Sequence, residues 1–181
     1  MRILLAILTF TLYLHADPSV YMGISIEDSS ELFSFNDQTK TASTPQYKIK
    51  AGYGEIDNFS VEASFSYMDY STNIFSEDDS AALMLDITLY KGWDFGYDLY
   101  PYVGIGIGMG NMPVERTLES ALTFSSFNFG GGIRYVISRT YDFDIGVNYK
   151  LRSWQSISSV ADQVEVTSHL LNPYIGFNYH F

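Results

Sequence analysis

The amino-acid sequence predicts an all-β fold, an eight-stranded antiparallel up-and-down transmembrane β-barrel, on three observations. From residue 19 onward apolar side chains recur at every second position, the period of a strand and not of a helix. The alternating runs are about ten residues long, the length a tilted membrane strand needs, whereas strands of water-soluble proteins are nearer five or six. The connections alternate between short and long, as in barrels with tight turns on one side of a membrane and extended loops on the other.

Each run has one apolar face and one face of glycine, small polar residues and charge. The first sets Val20, Met22, Ile24 and Ile26 against Tyr21, Gly23, Ser25 and Glu27. In the second, Tyr47, Ile49, Ala51 and Tyr53 alternate with Lys48, Lys50, Gly52 and Gly54. The third places Phe59, Val61, Ala63, Phe65 and Tyr67 opposite Ser60, Glu62, Ser64, Ser66 and Met68. Leu83, Leu85, Ile87 and Leu89 oppose Met84, Asp86, Thr88 and Tyr90 in the fourth. The fifth interleaves Val103, Ile105, Ile107 and Met109 with Tyr102, Gly104, Gly106 and Gly108. The sixth interleaves Phe127, Phe129, Gly131, Ile133, Tyr135 and Ile137 with Asn128, Gly130, Gly132, Arg134 and Val136. The seventh is the clearest: Tyr141, Phe143, Ile145, Val147, Tyr149 and Leu151 against Asp142, Asp144, Gly146, Asn148, Lys150 and Arg152. The eighth sets Leu171, Pro173, Ile175, Phe177, Tyr179 and Phe181 against Asn172, Tyr174, Gly176, Asn178 and His180. Long connections are expected at Asp28–Thr44, Ser71–Asp79, Asn111–Ala121 and Ser153–Val166. Shorter ones fall near Glu55–Asn58, at Lys91–Asp98 and at Ser138–Thr140, so both chain ends lie on the periplasmic side.

Composition agrees. Of 181 residues, 17% are aromatic and only 17% charged, which suits pleated strands and excludes a disordered chain. The net charge of −11 excludes nucleic acid as a partner, because a phosphate backbone needs a basic stripe. There is no cysteine, so closure of the sheet and not disulfides must hold the fold together. Residues 1–16 read as a secretory signal peptide. Arg2 is followed by about a dozen mostly apolar residues, too few for a spanning helix, and then by Ala16 before Asp17. Cleavage after Ala16 leaves 17–181 as one barrel domain carrying 9 basic and 21 acidic residues.

A soluble sandwich also alternates, but it gives no reason for aromatics at strand ends on the apolar face (Tyr47, Tyr53, Phe59, Tyr67, Tyr135, Tyr141, Tyr149, Tyr179). Membrane interfaces favour such rings, and hydrocarbon forbids an open sheet edge. The C-terminal segment from Tyr174 to Phe181, with Ile175, Phe177, Tyr179 and Phe181 at alternate positions, resembles the terminal strand recognised by the assembly machinery of bacterial outer membranes. The stretches 127–135, 144–149 and 101–108 resemble the corresponding strands of small OmpA-like and opacity-type barrels. The resemblance covers the mature chain as a pattern and implies a monomer in the bacterial outer membrane, in contact with lipid and lipopolysaccharide. No peptidoglycan-binding domain is expected after the barrel.

An eight-stranded barrel is just wide enough for its inward side chains to fill. The inward charges Lys48, Lys50, Glu62, Asp86, Arg134, Asp142, Asp144, Lys150 and Arg152 must therefore pair with one another. Lys50, Glu62, Asp86, Arg134 and Asp144 are expected to form one salt-bridge network, with Lys50 facing Glu62 across the first short turn. Inward Gly104, Gly106, Gly108, Gly130 and Gly132 leave room for the longer chains. A polar plug is the main reading; a narrow gated ion path is the alternative.

Neither a catalytic nor a cofactor site is expected. Barrels that modify lipid A keep the enzyme class open. Here, however, Ser168 and His169 point to opposite faces, His180 sits at the periplasmic rim, and the deacylase pattern of His followed two residues later by Ser meets Leu171 instead. No metal-ligand spacing occurs. The acidic run Glu77–Asp79 reads as a solvated loop. The outer loops, with Leu32-Phe33-Ser34-Phe35 in the first and Trp154 and Ile157 in the last, are candidates to meet an extracellular ligand. The expected role is structural or surface-interacting.

Overall fold

The computed structural model describes residues 18–35, 38–70, 81–114, 121–158 and 163–181. The expected leader, Asp17 and the acidic run Glu77–Asp79 lie outside the described residues. Eight strands close one barrel: β1 Ser19–Phe35, β2 Gln38–Gly54, β3 Phe59–Met68, β4 Ala82–Gly92, β5 Leu99–Pro113, β6 Ala121–Ser138, β7 Tyr141–Trp154 and β10 Val166–His180. A two-residue pair, β8 Ile157–Ser158 and β9 Gln163–Val164, forms a separate small hairpin between β7 and β10. Every barrel strand pairs antiparallel with its sequence neighbour, and β1 closes on β10.

The phase of every run is as the sequence requires. Ile24, Ile49, Phe65, Ile87, Ile107, Phe129, Ile145 and Ile175 are exposed on the outside, while the alternate residues are buried within. Space inside is tight: the Tyr90 ring lies against Gly104, where a side-chain carbon would overlap it. At the seam, β1 and β10 pair continuously from Tyr21↔His180 to Glu27↔Tyr174 and resume at Ser30↔Leu171. The interruption faces Pro173, which has no N–H to donate. The chain end is fastened by the Phe181 amide, which donates to the Val20 carbonyl at 3.0 Å.

The first connection differs from expectation. Residues 28–35 and 38–44 are not a loop: β1 and β2 run on in unbroken register through Asp28↔Pro45, Ser30↔Ser43 and Leu32↔Thr41 to Phe35↔Gln38. The cause is a change of solvent. Below Asp28 the outward face is Val20, Met22, Ile24 and Ile26; above it come Asp28, Ser30, Ser34, Thr39, Thr41 and Ser43. The strands have left the hydrocarbon, so most outward residues become polar; inward Ser29, Glu31 and Thr44 stay polar, and beyond them inward Phe33 and Ala42 are apolar. The period of two persists while its polarity inverts. β5, β6, β7 and β10 do the same at their outer ends, where Met112, Leu122, Phe124, Trp154, Val166 and Leu170 turn inward. Phe33 and Trp154, expected on exposed loops, are therefore core residues, 0% and 5% exposed, whereas Leu32 faces outward.

Candidate functional site

The candidate site is the lumen, a stack of side chains between the tight-turn end and the outer end. At the tight-turn rim, Asp142 of β7 accepts from Asn178 Nδ2 at 2.5 Å and contacts His180, whose other ring nitrogen meets Ser19 Oγ at 3.0 Å. Arg134 of β6 lies 3.6 Å from the same carboxylate, and its guanidinium stands 5.5 and 5.4 Å from the ring centres of Tyr21 and Tyr102. One level further in, Lys50 Nζ of β2 crosses the lumen to Asp144 at 2.7 Å. Tyr21 and Tyr90 both donate to Glu62, at 3.0 and 3.4 Å, and the hydroxyls of Tyr102 and Tyr174 meet.

Midway up, Lys150 pairs with Asp86 at 2.8 Å, and Asp86 also accepts from Asn128 at 2.8 Å. Lys48 pairs with Glu27, which Asn172 supports at 3.1 Å. The highest pair is Arg152 with Glu31 at 2.9 Å, both side chains fully buried. Glu31 also accepts from Tyr70 and Ser168 at 2.5 Å each, and Ser168 in turn accepts from Trp154 Nε1 at 2.9 Å. The Arg152 guanidinium rests 4.6 Å from the Phe124 ring centre and donates to the Met68 and Met84 sulfurs. Burial, with the Glu31 carboxylate beside it, pushes the Tyr70 phenol well above the ordinary tyrosine range, so it stays a proton donor. Above this level sits the apolar cap, where Phe33, Phe124 and Trp154 pack ring against ring.

The five residues of the expected network all point inward and are buried, but they divide among separate groups. The contact expected between Lys50 and Glu62 does not form. Lys50 stands opposite Ser64 and Glu62 opposite Gly52, and the long lysine reaches further across the barrel, to Asp144. Arg134 and Asp144 are register partners, yet Arg134 pairs diagonally with Asp142. Asp86 is held by Lys150. Among the described residues Glu62 has no cation within 4 Å; hydroxyl donors satisfy it instead. Glu31 was missed because it lies in the segment read as a loop. Its signal was parity, since Glu27, Ser29, Glu31 and Phe33 continue the inward positions of β1.

Ser168 is buried within the wall and His169 is exposed outside, where its Nδ1 meets Tyr149 Oη at 2.7 Å. The two do not cooperate. Ile175, Phe177, Tyr179 and Phe181 all face outward on β10 and the residue after it.

A closed sheet with a greasy exterior and a charged, filled interior defines an integral membrane β-barrel. The family model of the outer membrane protein beta-barrel domain matches residues 3–181, and the chain belongs to that family; it is a small barrel of the bacterial outer membrane. Among solved structures it is similar to Neisserial surface protein A (NspA), with 17% identity over 92% of this chain and 100% of that one and a TM-score of 0.65. It is also similar to OprG of Pseudomonas aeruginosa (17% identity, 92% and 96% covered, TM-score 0.52). A third is Ail, the attachment invasion locus protein of Yersinia pestis, crystallised with the heparin analogue sucrose octasulfate (17% identity, 90% and 99% covered, TM-score 0.51). At these identities the likeness is one of fold. No curated protein sequence matches the chain.

Proposed function

We propose that this outer-membrane barrel is a non-conducting, non-enzymatic monomer with a structural and surface-interacting role. One observation carries the reading: each of the five buried cations of the lumen, Lys48, Lys50, Arg134, Lys150 and Arg152, has its own carboxylate partner among the described residues. Separating such pairs to open a path would leave uncompensated buried charge. The apolar layer of Phe33, Phe124 and Trp154 adds a second barrier on the outer side. The lumen is a plug that stiffens the wall, and the gated path is disfavoured because no pair is spare.

The working surface is then the outer end, where strands and loops rise beyond the hydrocarbon. Ail was crystallised with a polysulfated saccharide; at net charge −11 this chain suits a neutral or cationic partner better than a polyanion. Ile175, Phe177, Tyr179 and Phe181 act as the signal read by the barrel-assembly machinery, after residues 1–16 direct export and are removed. Lipid and lipopolysaccharide surround the wall. Planar-bilayer recording tests the plug: the expected result is a quiet membrane, and a reproducible large open state would defeat it.

A further inference from the structure

A diagonal trough crosses the outer wall between β6 and β1. Its floor is the row Gly131, Val147 and Pro173, which are register partners on β6, β7 and β10. Asp28 of β1 comes next in line, where the β1–β10 ladder is interrupted. One row nearer the periplasm, Ile133, Ile145, Ile175 and Ile26 stand in register. One row nearer the outside stand Phe129, Tyr149 and Leu171. The middle row is low because glycine has no side chain and those of valine and proline are short. It is one side chain wide, and the depression measures about 780 Å³. The trough also descends. A row that leaves β2 at Thr39 and passes in register around the barrel returns to β2 at Ile49, ten residues nearer the periplasm. That shift tilts the strands, so Ile133 lies about 14 Å deeper in the membrane than Asp28 by strand spacing and rise.

The two ends differ in chemistry. The deep end is bounded by isoleucine and valine. At the upper end, on the border of the apolar band, Asp28 is exposed, and its carboxylate has no cation within 4 Å among the described residues. The Asp28 carbonyl is a second acceptor, because Pro173 has no N–H to complete the ladder opposite it. An acceptor left without a donor beside hydrocarbon is costly. Two oxygen acceptors, one of them charged, at the head of a narrow apolar trough fit a positively charged head with several N–H donors and a single alkyl chain.

We infer that this trough binds a single-chain primary ammonium amphiphile, with the ammonium on the Asp28 oxygens and the chain laid past Val147 toward Ile133. The inference goes beyond the plugged lumen and stands or falls independently of it. The test uses the full barrel refolded into phosphatidylcholine nanodiscs and offered dodecylamine or dodecanol, with retained amphiphile counted by native mass spectrometry after release from the disc. Dodecylamine is expected to be retained about tenfold better than dodecanol, as for one charge-assisted hydrogen bond. Asp28→Asn is expected to erase that preference, and Pro173→Val, which returns an N–H to the Asp28 carbonyl, to reduce it. Val147→Phe fills the trough and is expected to lower retention of both compounds. Heat-modifiable migration confirms folding; Asp28→Ser replaces an Asp28→Asn barrel that does not fold, and the Asp28 comparison decides alone where either other variant fails to fold. Equal retention of the two compounds by the natural barrel, an unchanged preference in the folded Asp28 variant, or full retention in folded Val147→Phe overturns the inference. So does equal retention of phosphatidylethanolamine, which would make the trough an ordinary lipid contact.

Discussion

Single residues in the lumen differ in what they cost to lose, and the difference follows from their partners. Arg152→Ala leaves the fully buried Glu31 carboxylate without its cation, a loss of about 3–5 kcal/mol. Urea unfolding in lipid vesicles should register it as a lowered midpoint. Adding Glu31→Gln to Arg152→Met should restore much of the stability, because a neutral pair of similar volume is no longer charged. Glu62→Gln is the contrast. Its described partners are the hydroxyls of Tyr21 and Tyr90, one on each carboxylate oxygen; the amide oxygen still accepts from one, and the amide NH2 donates to the other once that hydroxyl turns, so the same assay should show a change of about 1 kcal/mol. A large effect there would mean that Glu62 balances charge in a way its contacts do not reveal. Inward orientation of these groups was legible from parity alone. Pairing was not, because a lysine or arginine spans the barrel, and its partner depends on which strand lies opposite. Lys50 meeting Asp144, 94 positions away, is such a case.

Elements were legible where lipid enforces an apolar outside and illegible where water takes over. All eight alternating runs fall on barrel strands, and the third, Phe59–Met68, coincides with β3. Outward apolarity marks β1 only as far as Glu27, because that signal ends with the bilayer. The inward residues carry the continuation instead. Two expectations test this boundary. An arginine at Ile107, in the apolar band of β5, should cost about 2–4 kcal/mol, while one at Thr41 on the same outer face should cost about 0–1, both read from the free energy of folding into vesicles. Trp154→Ala should remove the ring between Phe33 and Phe124 and cost about 3–5 kcal/mol. Limited proteolysis from the outer side should then cut the β1–β2 hairpin while the membrane portion stays protected.

At the scale of the whole molecule, one sheet serves two solvents. Within the bilayer its outside is apolar and its inside charged; beyond the bilayer the two faces exchange roles, and the interior becomes an ordinary apolar core. Closure makes this possible, since a barrel has no edge to leave unpaired in lipid and needs no disulfide. The absence of cysteine also makes a spin-label scan straightforward. Single cysteines from Val61 to Tyr67 on β3 alternate between the lipid face and the filled interior, and a label at each reports its access to membrane-dissolved oxygen and to a water-soluble relaxant. Val61, Ala63, Phe65 and Tyr67 are expected to be reached by oxygen, and Ser64 and Ser66 by neither agent. Relaxant reaching Ser64 and Ser66, or oxygen failing to reach Val61, Ala63 and Phe65, would contradict the assignment of the two faces.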